Sequence, residues 1–255
     1  MSWASAWRLA VGTLTVIPVR PPTVVDRQVA GRAMLLAPVA VLPLAVLAAV
    51  LGRLAALTGW PSLLSGLVVV ATLALGTRAL HLDGLADTVD GLGSGRDRRR
   101  ALEVMRRGDV GPMGVVVLIL VLGAQAATGA ALTRSWPDAV LLAVLIVASR
   151  SSLLIACRAS IPAARPDGLG SVVAGSVRST AALGCGVAVA VVVIGTAVAV
   201  GRPWWAGVTA VVVAALISYA IVRLATRRLG GITGDVLGAG VELSLVTLLL
   251  GTTLG

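Results

Sequence analysis

PSLLSGLVVVATLALGTRAL (residues 61–80) runs without a break into HLDGLADTVDG (residues 81–91). The first stretch is twenty residues with one charge, long and apolar enough to cross a bilayer core of about 30 Å as a helix. The second places Asp83, Asp87 and Asp90 at i, i+4 and i+7. At 3.6 residues per turn that spacing sets three carboxylates on one helical face, aimed at one point. Like charges held so close repel one another unless a cation lies among them. Hard oxygen ligands suit Mg²⁺, which takes one or two protein carboxylates and leaves its other positions to water and phosphate. The expected ligand is therefore a diphosphate at a membrane surface. A carboxylate at the bilayer centre costs about 2.5–3.5 kcal/mol on insertion scales, a penalty that an interfacial position largely avoids.

The rest of the chain has the same character. Of its 255 residues 58% are hydrophobic, and the mean hydropathy is +1.00, more apolar surface than one soluble core can hide. The reading is an all-α, polytopic helical membrane protein, a single catalytic transmembrane domain over residues 1–255. Seven spans are expected, near 33–51, 61–80, 112–132, 138–157, 181–200, 203–222 and 236–254. Residues 1–32 form an N-terminal segment. Its Trp3, Trp7 and apolar run from Leu9 to Val19 favour an interfacial or re-entrant placement over a cleaved signal, since no small-residue cleavage site follows the run.

A net charge of +10 raises nucleic acid as a partner, but the distribution argues against it. All 21 basic residues are arginines. With seven spans and a cytoplasmic N-terminus, only Arg53, Arg134 and Arg202 fall on the external side. That asymmetry follows the positive-inside rule, so the expected location is a cytoplasmic (inner) membrane, with the lipid bilayer as partner and the acidic stretch facing the cytosol. Cys157 and Cys185 offer no disulfide or zinc pattern and are read as packing residues. His81 is the one histidine in the chain, which leaves little scope for a serine-type triad or a histidine-rich metal site.

Three links collect on the arginine-rich side. The first follows Asp90 and carries Arg96, the run Arg98-Arg99-Arg100, and Arg106-Arg107 among glycines. The second holds Arg165-Pro166-Asp167-Gly168-Leu169-Gly170, and the third Gly231-Ile232-Thr233-Gly234-Asp235. Glycine lets a backbone approach phosphate closely and arginine grips it with a fork. Taken singly, each link also reads as a membrane anchor or as turn chemistry with Asp235 as an N-cap. Arg150 and Glu242 lie inside spans at an equal depth of roughly 10 Å, which invites an ion pair.

These motifs together resemble the cobalamin synthase family, the membrane-bound adenosylcobinamide-GDP ribazoletransferases. The resemblance rests on residues 81–91, the Leu-Glu-Val-Met piece at 102–105, Val110-Gly111 with Gly114, residues 165–170 and residues 231–239. One departure is visible: this chain has Arg107-Gly108 where many members carry an acid, with its own acid at Asp109. The resemblance implies Mg²⁺-dependent transfer of the adenosylcobinamide phosphate from adenosylcobinamide-GDP to a ribose hydroxyl of α-ribazole or its 5′-phosphate, with release of GMP. Carried onto this chain, it implies Asp83, Asp87 and Asp90 as catalytic and metal-binding residues, one of them available as base. It implies substrate contacts from His81, Arg96, Arg106, Arg165, Gly168, Gly170, Thr233 and Asp235. A homo-oligomer is compatible with all of this.

Two other classes compete. A CDP-alcohol phosphotransferase would share Asp87-x-x-Asp90-Gly91, but Ser94-Gly95 stands where its Ala-Arg pair belongs and the later acidic half of its signature is missing. An ion-coupled transporter would place charges near the midplane on broken, repeated helices, whereas the acids here crowd at one surface.

Overall fold

The computed structural model describes residues 3–253. Thirteen helices make up its regular structure: α1 (Trp3–Leu14), α2 (Arg27–Ala40), α3 (Leu42–Leu57), α4 (Ser62–Gly76), α5 (Leu80–Gly93), α6 (Arg98–Val104), α7 (Pro112–Ala131), α8 (Trp136–Ser149), α9 (Ser152–Ala156), α10 (Gly168–Val173), α11 (Ser179–Ala199), α12 (Trp204–Leu229) and α13 (Gly234–Thr253). Among the described residues the only β pairing is two isolated bridges, Arg158 with Val177 and Ala163 with Ile232.

Among the described residues six segments are long and apolar enough to cross a membrane: α2 with α3 (Arg27–Leu57), α7, α8 with α9 (Trp136–Ala156), α11, α12 and α13. The pair α4 and α5, bent by 90°, brings the count to as many as seven. The protein is thus a polytopic helical membrane protein, with span positions close to those read from composition. The first span begins earlier than expected, at Arg27 rather than residue 33, because Asp26 caps it by accepting the Val29 N–H at 2.7 Å. Residues 27–32 therefore belong to the helix, and not to the N-terminal segment. Within that segment α1 is only twelve residues long, too short to cross, and packs along α2. The Val16 N–H is tied to the Gly76 carbonyl at 2.8 Å.

The second span departs most from the sequence reading. It does not continue to residue 80 but stops at Gly76, where Thr77 turns its hydroxyl back onto the Leu73 carbonyl at 2.8 Å. Arg78 and Ala79 both take φ of +55°, a left-handed conformation costing of order 1–3 kcal/mol at each non-glycine position. The surroundings impose it: Arg78 donates to the Gly12 carbonyl at 2.9 Å, and the Ala79 N–H reaches the Ala74 carbonyl at 2.7 Å. The result is a corner that turns α5 away from the α4 axis and lays it against the first turns of α13 and α7.

The described helix ends sort into two faces. The starts of α2, α7, α11 and α13 and the ends of α4, α9 and α12 share the arginine-rich face, while Arg53 and Arg202 lie opposite, on Trp136 and Asp138 respectively. One hydrophobic cluster joins α1, α2, α9, α12 and the beginning of α13; a second joins α3, α4, α8 and the deeper parts of α11 to α13. A third is small and positions the acidic helix: Leu85 of α5 is wedged between Val121 of α7 and Ala239 of α13. Outward-facing leucine, isoleucine and valine on α7, α11 and α12 remain exposed, as a surface solvated by lipid requires. Cys157 is buried and Cys185 half-buried, both as free thiols in packing positions.

Candidate active site at the arginine-rich face

The seating of α5 depends on glycine. A Cβ on Gly84 would lie 2.7 Å from the Asp235 carbonyl oxygen, so a larger residue would push α5 off α13. The close approach brings residues 83–90 beside residues 233–235, about 150 positions later in the chain.

The three aspartates of α5 do not share one fate. Asp83 is exposed at the rim. Asp87, only 5% exposed, has no hydrogen-bond partner among the described residues, and it lies near enough to Asp83, Asp235 and Asp90 to feel their repulsion and to Arg165 to feel its attraction. Asp90 is drawn elsewhere: its two oxygens accept the Gly111 N–H at 2.7 Å and the Gly114 N–H at 2.9 Å. It thereby caps the start of α7 from a distance, where unpaired amides and the helix dipole favour an anion. The expectation that all three converge on one point is corrected here. Among the described residues no three acidic, histidine or cysteine side chains are placed to hold one ion together.

Opposite Asp83 stands the link 158–167, held to the start of α13 by the Ala163–Ile232 bridge, with the Ala164 N–H on the Ile232 carbonyl at 2.9 Å and the Ile232 N–H on the Pro162 carbonyl at 3.0 Å. That bridge aims Arg165 at Asp235, with Nη2 3.0 Å from Oδ2, and the Thr233 hydroxyl donates to the same oxygen at 3.0 Å. Asp235 is thus an acceptor in an ion pair, while Thr233 takes the capping role by accepting the Val236 N–H at 3.3 Å. A pocket of about 200 Å³ opens among Asp83, Arg165, Gly168, Gly170, Thr233 and Asp235. A wider cleft of about 700 Å³ adjoins it beside α6 and shares Arg165. Three segments far apart in sequence thus supply carboxylates, a guanidinium and glycine backbone to one hollow, a set suited to a phosphate ester and a hard cation.

A family model described as cobalamin-5-phosphate synthase matches residues 6–253. The chain belongs to the cobalamin synthase family. Three similar proteins carry the name adenosylcobinamide-GDP ribazoletransferase. The one from a Nocardioides species is 47% identical over 96% of each chain. That from Frankia casuarinae is 41% identical over 95% of this chain and 92% of its own, and that from Bradyrhizobium diazoefficiens 34% over 95% and 91%. No solved structure matches the chain.

As a cobalamin synthase family member, the chain gathers most but not all of its sequence-read contacts. Arg106 stands at the edge of the wider cleft in an exposed ion pair with Asp167, a contact that contributes little by itself. Arg96 is exposed and makes no hydrogen bond or ion pair among the described residues. His81 lies away from the pocket: it is buried, with Nδ1 3.8 Å from Glu242 Oε1. The expected Arg150–Glu242 ion pair is not direct either. Arg150 is 1% exposed and donates to the Ile146 carbonyl at 3.1 Å and the Ser149 hydroxyl at 2.9 Å. Glu242 accepts instead from Gln125 Nε2 at 2.7 Å, although both charges border one small void. An amide in an apolar helix is unobtrusive in sequence, which is why Gln125 escaped notice.

Arg98 also has a role that its arginine run concealed. Its Nε donates to the Leu229 carbonyl at 2.7 Å and its Nη2 to the Ala164 carbonyl at 3.0 Å, pinning α6 to the end of α12 and to the Arg165 link. Arg228 ties back to the Gly95 and Leu92 carbonyls.

The capping role of Asp90 makes a stability prediction. Asp90→Ala strands two amides at the start of α7 and should cost about 1.5–3 kcal/mol, the range for hydrogen bonds to a charged group. Asp90→Asn keeps one acceptor and should lose less. Thermal unfolding in detergent measures both, and an unchanged midpoint for Asp90→Ala would remove the capping role.

Proposed function

We propose that the chain joins the two halves of a cobamide: the adenosylcobinamide phosphate passes from adenosylcobinamide-GDP to a ribose hydroxyl of α-ribazole or its 5′-phosphate, and GMP leaves. The observation that carries this reading is the convergence of Asp83, Arg165 and Asp235, with their glycine-rich links, on one pocket. The names of the similar proteins support it.

Chemically, the acceptor oxygen forms a bond to the phosphorus borne by cobinamide, the bond from that phosphorus to the GMP oxygen breaks, and the hydroxyl proton passes to a base. Mg²⁺ fits the donor set of Asp83, exposed to the pocket, and Asp87, free of hydrogen bonds; when bound, it supplies positive charge to the diphosphate. Arg165 commits one nitrogen to Asp235 and keeps the rest of its fork for phosphate oxygens. Asp235, locked by Arg165 and Thr233, holds that fork in place. An oxygen of Asp83 or Asp87 facing the acceptor is the available base, and Asp90 keeps α7 docked beneath them. The glycines at 168 and 170 let phosphate come close to backbone amides.

The test uses purified protein in lipid vesicles with adenosylcobinamide-GDP, α-ribazole and Mg²⁺, following GMP and corrinoid product together. Formation of both in equal amounts supports the reading. GMP release without α-ribazole incorporation would make the protein a hydrolase and defeat it.

The same reading sets the site in the cytosol, on the inner face of a cytoplasmic membrane, since the arginine-rich face is the one that would stay inside. Cysteine introduced at Ser94, in a background lacking Cys157 and Cys185, should resist an impermeant thiol reagent in intact cells and react after permeabilisation. Labelling from outside would invert the topology.

A further inference from the structure

Away from the acidic helix, a second cavity of about 490 Å³ runs between α9, α11, α12 and α13. Its walls are apolar almost throughout, with Val193, Val211 and Leu248 at the deep end. From Ser179, where it meets the arginine-rich face, to Val193 it extends about 21 Å along α11 at 1.5 Å per residue. Two features distinguish it from an ordinary gap between helices.

The mouth is cationic. Arg158 lines it, with its guanidinium carbon 5.9 Å from the centre of the Tyr219 ring, and Arg223 lies 6.0 Å from the same ring. Among the described residues neither arginine meets a carboxylate, whereas Arg106, Arg107, Arg165 and Arg202 all do. No acidic residue lines the cavity. Further in, the hydroxyls of Ser151 and Ser152 are buried and without a hydrogen-bond partner, and Ser152 is only 4% exposed. Hydroxyls in membrane helices ordinarily bond to a carbonyl one turn back, as Ser218 does to Ala214 at 2.8 Å.

We propose that this cavity is a binding site for one anionic phospholipid. The headgroup phosphate lies between Arg158 and Arg223, the glycerol ester carbonyls accept from Ser151 and Ser152, and one acyl chain fills the apolar length below. Basic pockets between transmembrane helices at an interface recognise acidic headgroups in this way, and the absence of any carboxylate in the wall favours a net negative ligand over a zwitterionic one. The proposal is independent of the transferase chemistry.

Native mass spectrometry of the detergent-purified protein, titrated with phosphatidylglycerol or phosphatidylcholine, tests it. The wild type should retain one phosphatidylglycerol at least tenfold more tightly than phosphatidylcholine. Arg158→Gln with Arg223→Gln should abolish the preference, and Arg53→Gln with Arg134→Gln, away from this mouth, should leave it intact. Gly186→Leu plugs the cavity from a position where an added Cβ meets no heavy atom within 4 Å, so the variant should fold normally and lose the lipid. Equal retention of the two lipids by the wild type would overturn the proposal. So would undiminished phosphatidylglycerol binding in Gly186→Leu, or an equal loss in the Arg53/Arg134 variant.

Discussion

Replacing Asp87 by asparagine is expected to lower GMP release by about 10²–10³-fold, the usual loss when one preorganised charge-stabilising group is removed from an active site. The substitution changes charge while keeping shape, and Asp87 has no hydrogen bond among the described residues that asparagine would break. Burial and the neighbouring Asp83, Asp90 and Asp235 make the native carboxylate an unfavourable arrangement for stability alone. A merely structural Asp87 would therefore be neutral or better as asparagine. Asp83→Asn should act in the same direction and raise the Mg²⁺ requirement, with partial rescue by Mn²⁺. The measurement is turnover across a Mg²⁺ titration, with monodisperse behaviour in detergent as the folding control. Near-normal turnover of both variants at an unchanged Mg²⁺ optimum would end the metal proposal.

Arg165→Lys should cost about 10²-fold, the scale of a small misplacement of reacting groups. Lysine keeps the charge but presents a point in place of a fork, so it cannot hold Asp235 and a phosphate at once in the same plane. The ion pair with Asp235 is mostly shielded, with side-chain exposures of 17% and 22%, and its loss would also free the start of α13. Arg99→Lys is the comparison, since Arg99 is exposed and gives only its backbone N–H to Asp97; it should retain wild-type activity. Equal activities at matched expression would take Arg165 out of the site.

The two residues differ in how visible they were. Asp87 belongs to a periodic motif within a single helix, and local periodicity is enough to find it. Arg165 was one of 21 arginines, and the local reading of its link was ordinary turn chemistry. The family resemblance marked it as a substrate contact, but only the bridge from Ala163 to Ile232 brings it to Asp235, and a pairing across about seventy residues leaves no local trace. His81 shows the converse: the family resemblance implied a substrate contact, yet its own helix turns it inward toward Glu242.

By itself the sequence determined the solvent, the approximate place of most spans, and the face on which charge collects. Bilayer thickness fixes helix length and the cost of burying charge fixes where arginines stand, so composition along the chain suffices for both. It also supplied the acidic helix and the family. Tertiary structure decided how the aspartates are shared. The corner at Arg78 and Ala79 turns α5 across α7 and α13, and the unpaired amides at Gly111 and Gly114 then claim Asp90, while Asp83 lines the pocket and Asp87 stays buried behind it without a hydrogen bond among the described residues. Helical spacing places side chains on a common face; which of them remain free depends on the unsatisfied groups that other helices bring against that face.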